Sequence, residues 1–287
     1  MKNIAVMDSI NFSREHLHML SSLGKVTFCE NYSMSEKEKM AFLSDIVIVD
    51  WTDPSPFLLK MKSPSLIALL STGYGWIENI NKAYKKGIYV ANVPQYGTDA
   101  VAEHLLGLLL GVSKRIFALL NQDKNDGKYG FELKNKTIGI IGLGSIGSRF
   151  AEIMNFFGAN IVTYNRTKKN NPLAMDVSLV DLLKMSDVIC VTSSFNNHSK
   201  ALINESNYLF VKEGAIVIGS TWGIVTDKAL INLVEHRSVI VAYDVALEGN
   251  QIRNNDLKNN FYSLMSKKKF FLPLTRHIAP KKLKLTD

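Results

Sequence analysis

Three glycines at a fixed spacing carry the clearest chemistry in this sequence. The segment TIGIIGLGSIG, Thr137–Gly147, is a β-branched run that enters Gly142-x-Gly144-x-x-Gly147, and a helical pattern follows over Arg149–Phe157. Gly142 permits a tight turn, Gly144 lets the backbone approach a pyrophosphate, and Gly147 lets the helix pack closely on the strand. The free N–H groups of Ser145 and Ile146 then face the phosphates, with the positive end of the helix dipole behind them. Glycines also mark ordinary turns. Placement after a strand, before a helix and inside a βαβ unit makes this segment a dinucleotide-binding signature.

The next strand ends in Asn165-Arg166-Thr167-Lys168, with Asn165 standing 18 residues past Gly147. An NAD site normally presents Asp or Glu to the ribose hydroxyls there. Here the acid is replaced, and a guanidinium, a hydroxyl and an ammonium follow, a set suited to a 2′-phosphate. Arg166 and Lys168 could instead be ordinary loop charges. Loss of the acid and gain of the cations both point to NADP(H), with NAD as the alternative.

These residues must be positioned by alternating strands and helices. Short apolar runs at Ile4–Met7, Val26–Cys29, Ile46–Val49, Leu66–Leu70 and Ile88–Val93 alternate with helical patterns such as Ser13–Ser22 and Ile77–Lys86. A long helical pattern runs from Thr98, its expected N-cap, to about residue 122, with Ala100, Val101, Leu105 and Leu108 feeding an apolar stripe. After the polar stretch Asn121–Lys136, a second series follows at Thr137–Ile141, Asn160–Tyr164, Val188–Thr192, Ala215–Ile218 and Val239–Val245. Such alternation predicts an α/β chain with two doubly wound parallel sheets. Ligands of such folds bind at the carboxyl ends of the strands, here expected between the two domains.

Composition agrees. At 287 residues the chain is long enough for two domains, and its Gly and Pro content (18 and 7) excludes a collagen-like or largely disordered protein. Two cysteines, Cys29 and Cys190, cannot build a disulfide framework or a thiolate metal cluster, so a reducing compartment is expected. The net charge of +8 is scattered, with no basic helix interleaved with aromatics, so no nucleic-acid partner is expected. No run approaches the roughly 20 apolar residues of a membrane span, and no signal-peptide core opens the chain. The expectation is a soluble cytoplasmic protein without a metal site. His16 and His18, two residues apart, do not share a helical face, and His104 on the long helix reads as structural.

The sequence resembles the D-isomer-specific 2-hydroxyacid dehydrogenases, a family that includes phosphoglycerate and glycerate dehydrogenases and glyoxylate/hydroxypyruvate reductases. The resemblance rests on ordered segments: Ser71-Thr72-Gly73-Tyr74, Asn92-Val93-Pro94-Gln95-Tyr96-Gly97-Thr98, Ala100-Val101-Ala102-Glu103-His104, GLGSIG, Ser186-Asp187-Val188, Glu213-Gly214-Ala215-Ile216, Asp244-Val245 and His277-Ile278-Ala279. It implies a flavodoxin-like substrate domain over residues 1–97, completed by 275–287, and a Rossmann domain over 98–274. It also implies hydride transfer between nicotinamide and C2 of a small 2-keto or 2-hydroxy acid, and a homodimer built around the long helix.

The same resemblance implies the site residues. The backbone around Thr72 and Gly73 would hold the substrate carboxylate, and His277 would act as acid/base on the C2 oxygen, a task suited to an imidazole near neutral pH. Thr192 and Asp244 would join the cofactor contacts. The family's Glu, which orients the His, has Glu248 one residue before its expected place. Trp222 stands where the family's Arg binds the carboxylate, and indole offers one neutral N–H and no bidentate contact. Trp222 could fill core, stack on nicotinamide or wall the substrate pocket. Arg276, in place of a family proline, could supply a cation but is expected to face solvent. The alternative function is a catalytically degenerate dinucleotide-binding sensor or interaction protein.

Overall fold

The computed structural model describes residues 1–117, 130–244, 259, 263, 270 and 271. Contacts divide the chain into two compact units, with the division between Tyr96 and Gly97.

The first unit is a five-stranded parallel sheet in the order β2-β1-β3-β4-β5, made of β1 (Lys2–Val6), β2 (Gly24–Phe28), β3 (Ile46–Val49), β4 (Ser65–Leu69) and β5 (Ile88–Ala91). Helices α1 (Arg14–Leu23), α2 (Met34–Leu43), α3 (Ser55–Leu58) and α4 (Ile80–Lys85) connect them. Ser13 and Ser33 cap α1 and α2, Ser33 in a capping box with Glu36. This 2-1-3-4-5 order is flavodoxin-like, with the strand order reversing between β1 and β3.

At that reversal the chain supplies its own anion. Asp8 Oδ2 accepts from the backbone N–H groups of Asp50, Trp51 and Thr52 at 2.7, 3.1 and 3.1 Å, and Oδ1 accepts from the Thr52 hydroxyl at 2.6 Å. Lys37 Nζ donates to Thr52 Oγ1 at 3.0 Å. Burial pushes the Asp8 carboxyl upward, but the Thr52 hydroxyl and the three amides together outweigh it and hold the group below its ordinary value of 3.8. The folded chain therefore favours the carboxylate more than the unfolded chain does. That stabilisation is complete above about pH 4 and disappears as the pH falls through the lowered folded value. Asp8→Ala leaves the three amides without this acceptor, and we expect it to destabilise the first unit by about 2–3 kcal/mol at pH 7. In thermal melts, the gap between wild type and variant should close as the pH approaches 2–3, below the range in which carboxylates ordinarily ionise.

The second unit opens with α5 (Thr98–Ser113), followed by β6 (Thr137–Ile141), α6 (Ser145–Phe156), β7 (Asn160–Tyr164), β8 (Met175–Asp176), α7 (Leu179–Met185), β9 (Val188–Val191), β10 (Ile216–Gly219), α8 (Asp227–His236), β11 (Ile240–Tyr243) and β12 (Phe270–Phe271). Its parallel sheet has the order β12-β11-β10-β9-β6-β7-β8, the Rossmann arrangement with its switch point between β6 and β9. Both faces are covered. Ile138, Ile140, Val188 and Cys190 pack with Leu105, Leu108, Leu109 and Val112 of α5 and Phe150 and Met154 of α6. Ile141, Ile189 and Val191 face Leu182, Leu230 and Leu233 on the other side. The period of two along each strand sends neighbouring side chains to opposite faces, so central strands read as continuous apolar runs.

Several boundaries differ from the sequence reading. Thr98 is the first helical residue of α5, and Gly97 is the N-cap, with no side-chain capping bond. The helix ends at Ser113 instead of running toward residue 122, because Lys114 turns and Arg115 takes a left-handed φ of 60°. Gly130 is back beside that end, with Phe131 N–H donating to Ser113 O. Helix α4 begins at Ile80, after Asn79 at φ 60°, and not at Ile77. No helix among the described residues is long and apolar enough to cross a membrane.

Candidate functional site

The turn between β6 and α6 has a distinct backbone task at each glycine. Gly142 has φ +98°, and a β-carbon there would lie 2.5 Å from Ser193 Cα. A β-carbon on Gly147 would overlap the Gly142 carbonyl oxygen and stand 2.8 Å from Thr192 Oγ1. A β-carbon on Gly144, the N-cap of α6, would meet nothing within 4 Å. Two glycines are therefore required by packing, and the third keeps open the space in front of the helix. The Thr192 hydroxyl donates to Gly142 O at 2.8 Å, tying the end of β9 to the turn across the switch point. Ser145 and Ile146, exposed and half-buried, occupy the first turn of α6, whose leading N–H groups have no partner within the helix. These features fit a pyrophosphate, and the cradle belongs to the chain's own backbone.

Asn165 is committed to the same turn. Its Oδ1 accepts from Leu143 N–H at 2.6 Å, and its Nδ2 donates to Thr163 Oγ1 at 2.9 Å and lies 3.5 Å from Asp176 Oδ1. The side chain at the ribose position thus holds the glycine turn in shape. Arg166, Thr167 and Lys168 follow, all exposed, and among the described residues neither cation has an ion-pair partner.

Trp222 lies at the carboxyl end of β10, after Ser220 and Thr221. Its ring is half-buried and packs edge-on against Tyr243 at 5.6 Å between centroids and 74° between planes. The indole N–H donates to the carboxylate of Asp227, the first residue of α8. Burial raises the Asp227 carboxyl, and the indole bond offsets this only in part. Tyr243 in turn lies against Gly219, where a β-carbon would stand 2.6 Å from its ring. Among the alternatives for Trp222, the geometry brings it to the core edge with its one donor already engaged.

On the first unit, the carbonyls of the Ser71–Tyr74 turn are held by neighbouring side chains. Gly73 O accepts from Ser71 Oγ at 3.1 Å and Trp76 Nε1 at 3.2 Å, and Thr72 O accepts from Asn92 Nδ2 at 2.7 Å. Thr72 Oγ1 donates to Val93 O at 3.2 Å. Thr72 and Gly73 are exposed, and no described group accepts from their backbone N–H groups. Two amides without a described acceptor in one exposed turn are a candidate donor set for a carboxylate. Glu248, Arg276 and His277 lie outside the described residues.

Residues 106–273 match the model of the D-isomer specific 2-hydroxyacid dehydrogenase, NAD binding domain, family. The 2-hydroxyacid dehydrogenase A of Aspergillus oryzae is 31% identical over 250 residues, covering 82% of this chain and 71% of that protein. The chain belongs to the D-isomer specific 2-hydroxyacid dehydrogenase family. This dehydrogenase is also similar to a hydroxypyruvate reductase of Blautia hydrogenotrophica, 28% identical over 244 residues, 78% of this chain and 75% of the relative. A solved acyclic imino acid reductase in complex with NADPH and D-Arg shares the fold, with a TM-score of 0.82 at 22% identity over 94% of this chain and 88% of that one. The family is one of NAD(P)-dependent dehydrogenases, and residues 106–273, which include the glycine turn, match its NAD binding domain.

Two residues in contact with candidate site residues carried little signal in the sequence. Asp227 is the acceptor for Trp222, yet an acid in the first turn of a helix is ordinary. His104, read as structural, lies with Nε2 3.5 Å from Asp244 Oδ1. Only the fold brings residues so distant in sequence together.

Proposed function

We propose that this dehydrogenase is an NADP(H)-preferring reductase of small 2-keto acids of the glyoxylate or hydroxypyruvate type, acting as a cytoplasmic homodimer. The observation that carries the cofactor choice is the arrangement after β7. Asn165 is spent on the turn, while Arg166 and Lys168 stand free of ion pairs among the described residues. A 2′-phosphate there would meet a guanidinium fork and an ammonium. The nicotinamide dinucleotide supplies the hydride when bound, and the chain supplies the rest. The amides of Thr72 and Gly73 hold the carboxylate, and His277, oriented by Glu248, moves the proton at the C2 oxygen. Residues 275–287 complete the substrate domain in this reading.

The test is NADPH oxidation with glyoxylate, hydroxypyruvate and pyruvate, with wild type beside His277→Ala. Turnover that disappears in His277→Ala supports the reading. For the cofactor, Arg166→Ala with Lys168→Ala should raise KM for NADPH about 10–100-fold and leave that for NADH unchanged. Equal effects on the two cofactors would rule out the phosphate site. The engagement of the Trp222 N–H by Asp227 favours a second reading, a protein that binds dinucleotide and has lost turnover. Tight NADPH binding without turnover of any 2-keto acid would decide for it.

A further inference from the structure

His104 sits on α5, directly before Leu105, which packs against the sheet. Its Nε2 is shielded from solvent, makes no hydrogen bond among the described residues, and lies 3.5 Å from Asp244 Oδ1. A donor taken out of water and left unused is costly unless a partner is close. Asp244 directly follows β11, and its backbone N–H donates to Gly219 O at 2.8 Å, which pins the residue at the carboxyl edge of β10 and β11. That edge belongs to the mononucleotide half beyond the switch point. The glycine turn and β7 hold the adenine nucleotide, so the half containing β9, β10 and β11 receives the nicotinamide nucleotide.

We propose that His104 is a positioning residue for the nicotinamide end of the site. Its Nε2–H takes one oxygen of the Asp244 carboxylate, and the other oxygen is thereby presented to the carboxamide N–H of the nicotinamide. The carboxylate fixes the tautomer, since an Nε2 lone pair directed at it would be repelled. A small rotation of the Asp244 carboxylate closes the 3.5 Å separation, as site hydrogen bonds commonly tighten on binding. The inference rests on the dinucleotide reading above. It differs from a purely structural role because its effect is confined to one end of the ligand.

The experiment measures dissociation constants of NADP⁺ and of adenosine 2′,5′-bisphosphate for wild type, His104→Leu and His104→Gln, by calorimetry on the full chain, alongside thermal melts. Leucine removes the donor, whereas glutamine places an N–H near the position of Nε2. We expect His104→Leu to weaken NADP⁺ about tenfold. His104→Gln should restore most of that affinity, and all three proteins should bind the bisphosphate alike. Unchanged NADP⁺ binding in His104→Leu, or a loss shared equally by the bisphosphate, overturns the proposal. Wild type that binds neither ligand overturns the dinucleotide reading and this inference with it.

Discussion

Gly144→Ala should weaken dinucleotide binding by about 100-fold or more in a protein that still melts nearly as wild type does, whereas Gly147→Ala should damage both. The contrast follows from where each new methyl goes. At Gly144 the backbone has φ −81° and ψ −163°, which any residue adopts, and the β-carbon enters open space. The stability cost is that of alanine for glycine at an N-cap, within about 1 kcal/mol. The same open space is where a pyrophosphate must approach the backbone, so affinity for NADPH should fall by roughly 100-fold or more, about 2.7 kcal/mol. At Gly147 the methyl overlaps the Gly142 carbonyl oxygen, which is also held by the Thr192 hydroxyl. Neither the strand nor the turn can yield cheaply, and overpacking of this kind costs about 1–3 kcal/mol. The melting temperature should drop by several degrees for a domain of this size, roughly 2–4 °C per kcal/mol. Fluorescence titration with NADPH beside thermal melts separates the two. Gly144→Ala that binds NADPH like wild type would remove the cradle from the site.

The glycine turn was legible because each of its constraints is local: a strand, a turn and a helix within a dozen residues, with residue types that backbone sterics demand. The strand order was legible at the level of class, since buried parallel strands read as apolar runs such as Val188-Ile189-Cys190-Val191. What escaped depends on contacts between distant segments. Asn165 reads from the sequence as the residue that replaces the ribose acid, and only the approach of Leu143 N–H shows its work on the turn. The two-residue strands Met175–Asp176 and Phe270–Phe271 have no periodicity to read. Thr98 has the right side chain for an N-cap, but the chain enters α5 one residue earlier, through Gly97. The Asp8 anchor joins the ends of β1 and β3, over 40 residues apart in sequence, and no pattern within either segment announces it.

Trp222→Arg alone should leave 2-keto acid reduction near the wild-type rate, and Trp222→Arg with Asp227→Asn should raise kcat/KM for glyoxylate by about 100-fold. The resemblance to the family, which implies an Arg at this place, suggests the single change as a repair. The neighbouring Asp227 is the reason to expect one change to be too little. The carboxylate of Asp227 already accepts from the Trp222 side chain, and burial makes that carboxylate short of partners. A guanidinium introduced at 222 is expected to pair with it, with its donors and its charge consumed. The amide of Asp227→Asn carries no charge, and so leaves the guanidinium available to an anionic ligand. One charge-assisted contact that also steadies the reacting carbonyl is worth on the order of 10²–10³ in rate. Loss of the indole face against Tyr243 works the other way, on stability, so each variant must be melted before its kinetics are compared. Full recovery in the single variant would mean that Asp227 does not compete for the cation. A double variant that folds, binds NADPH and stays inactive would place the defect beyond residue 222 altogether.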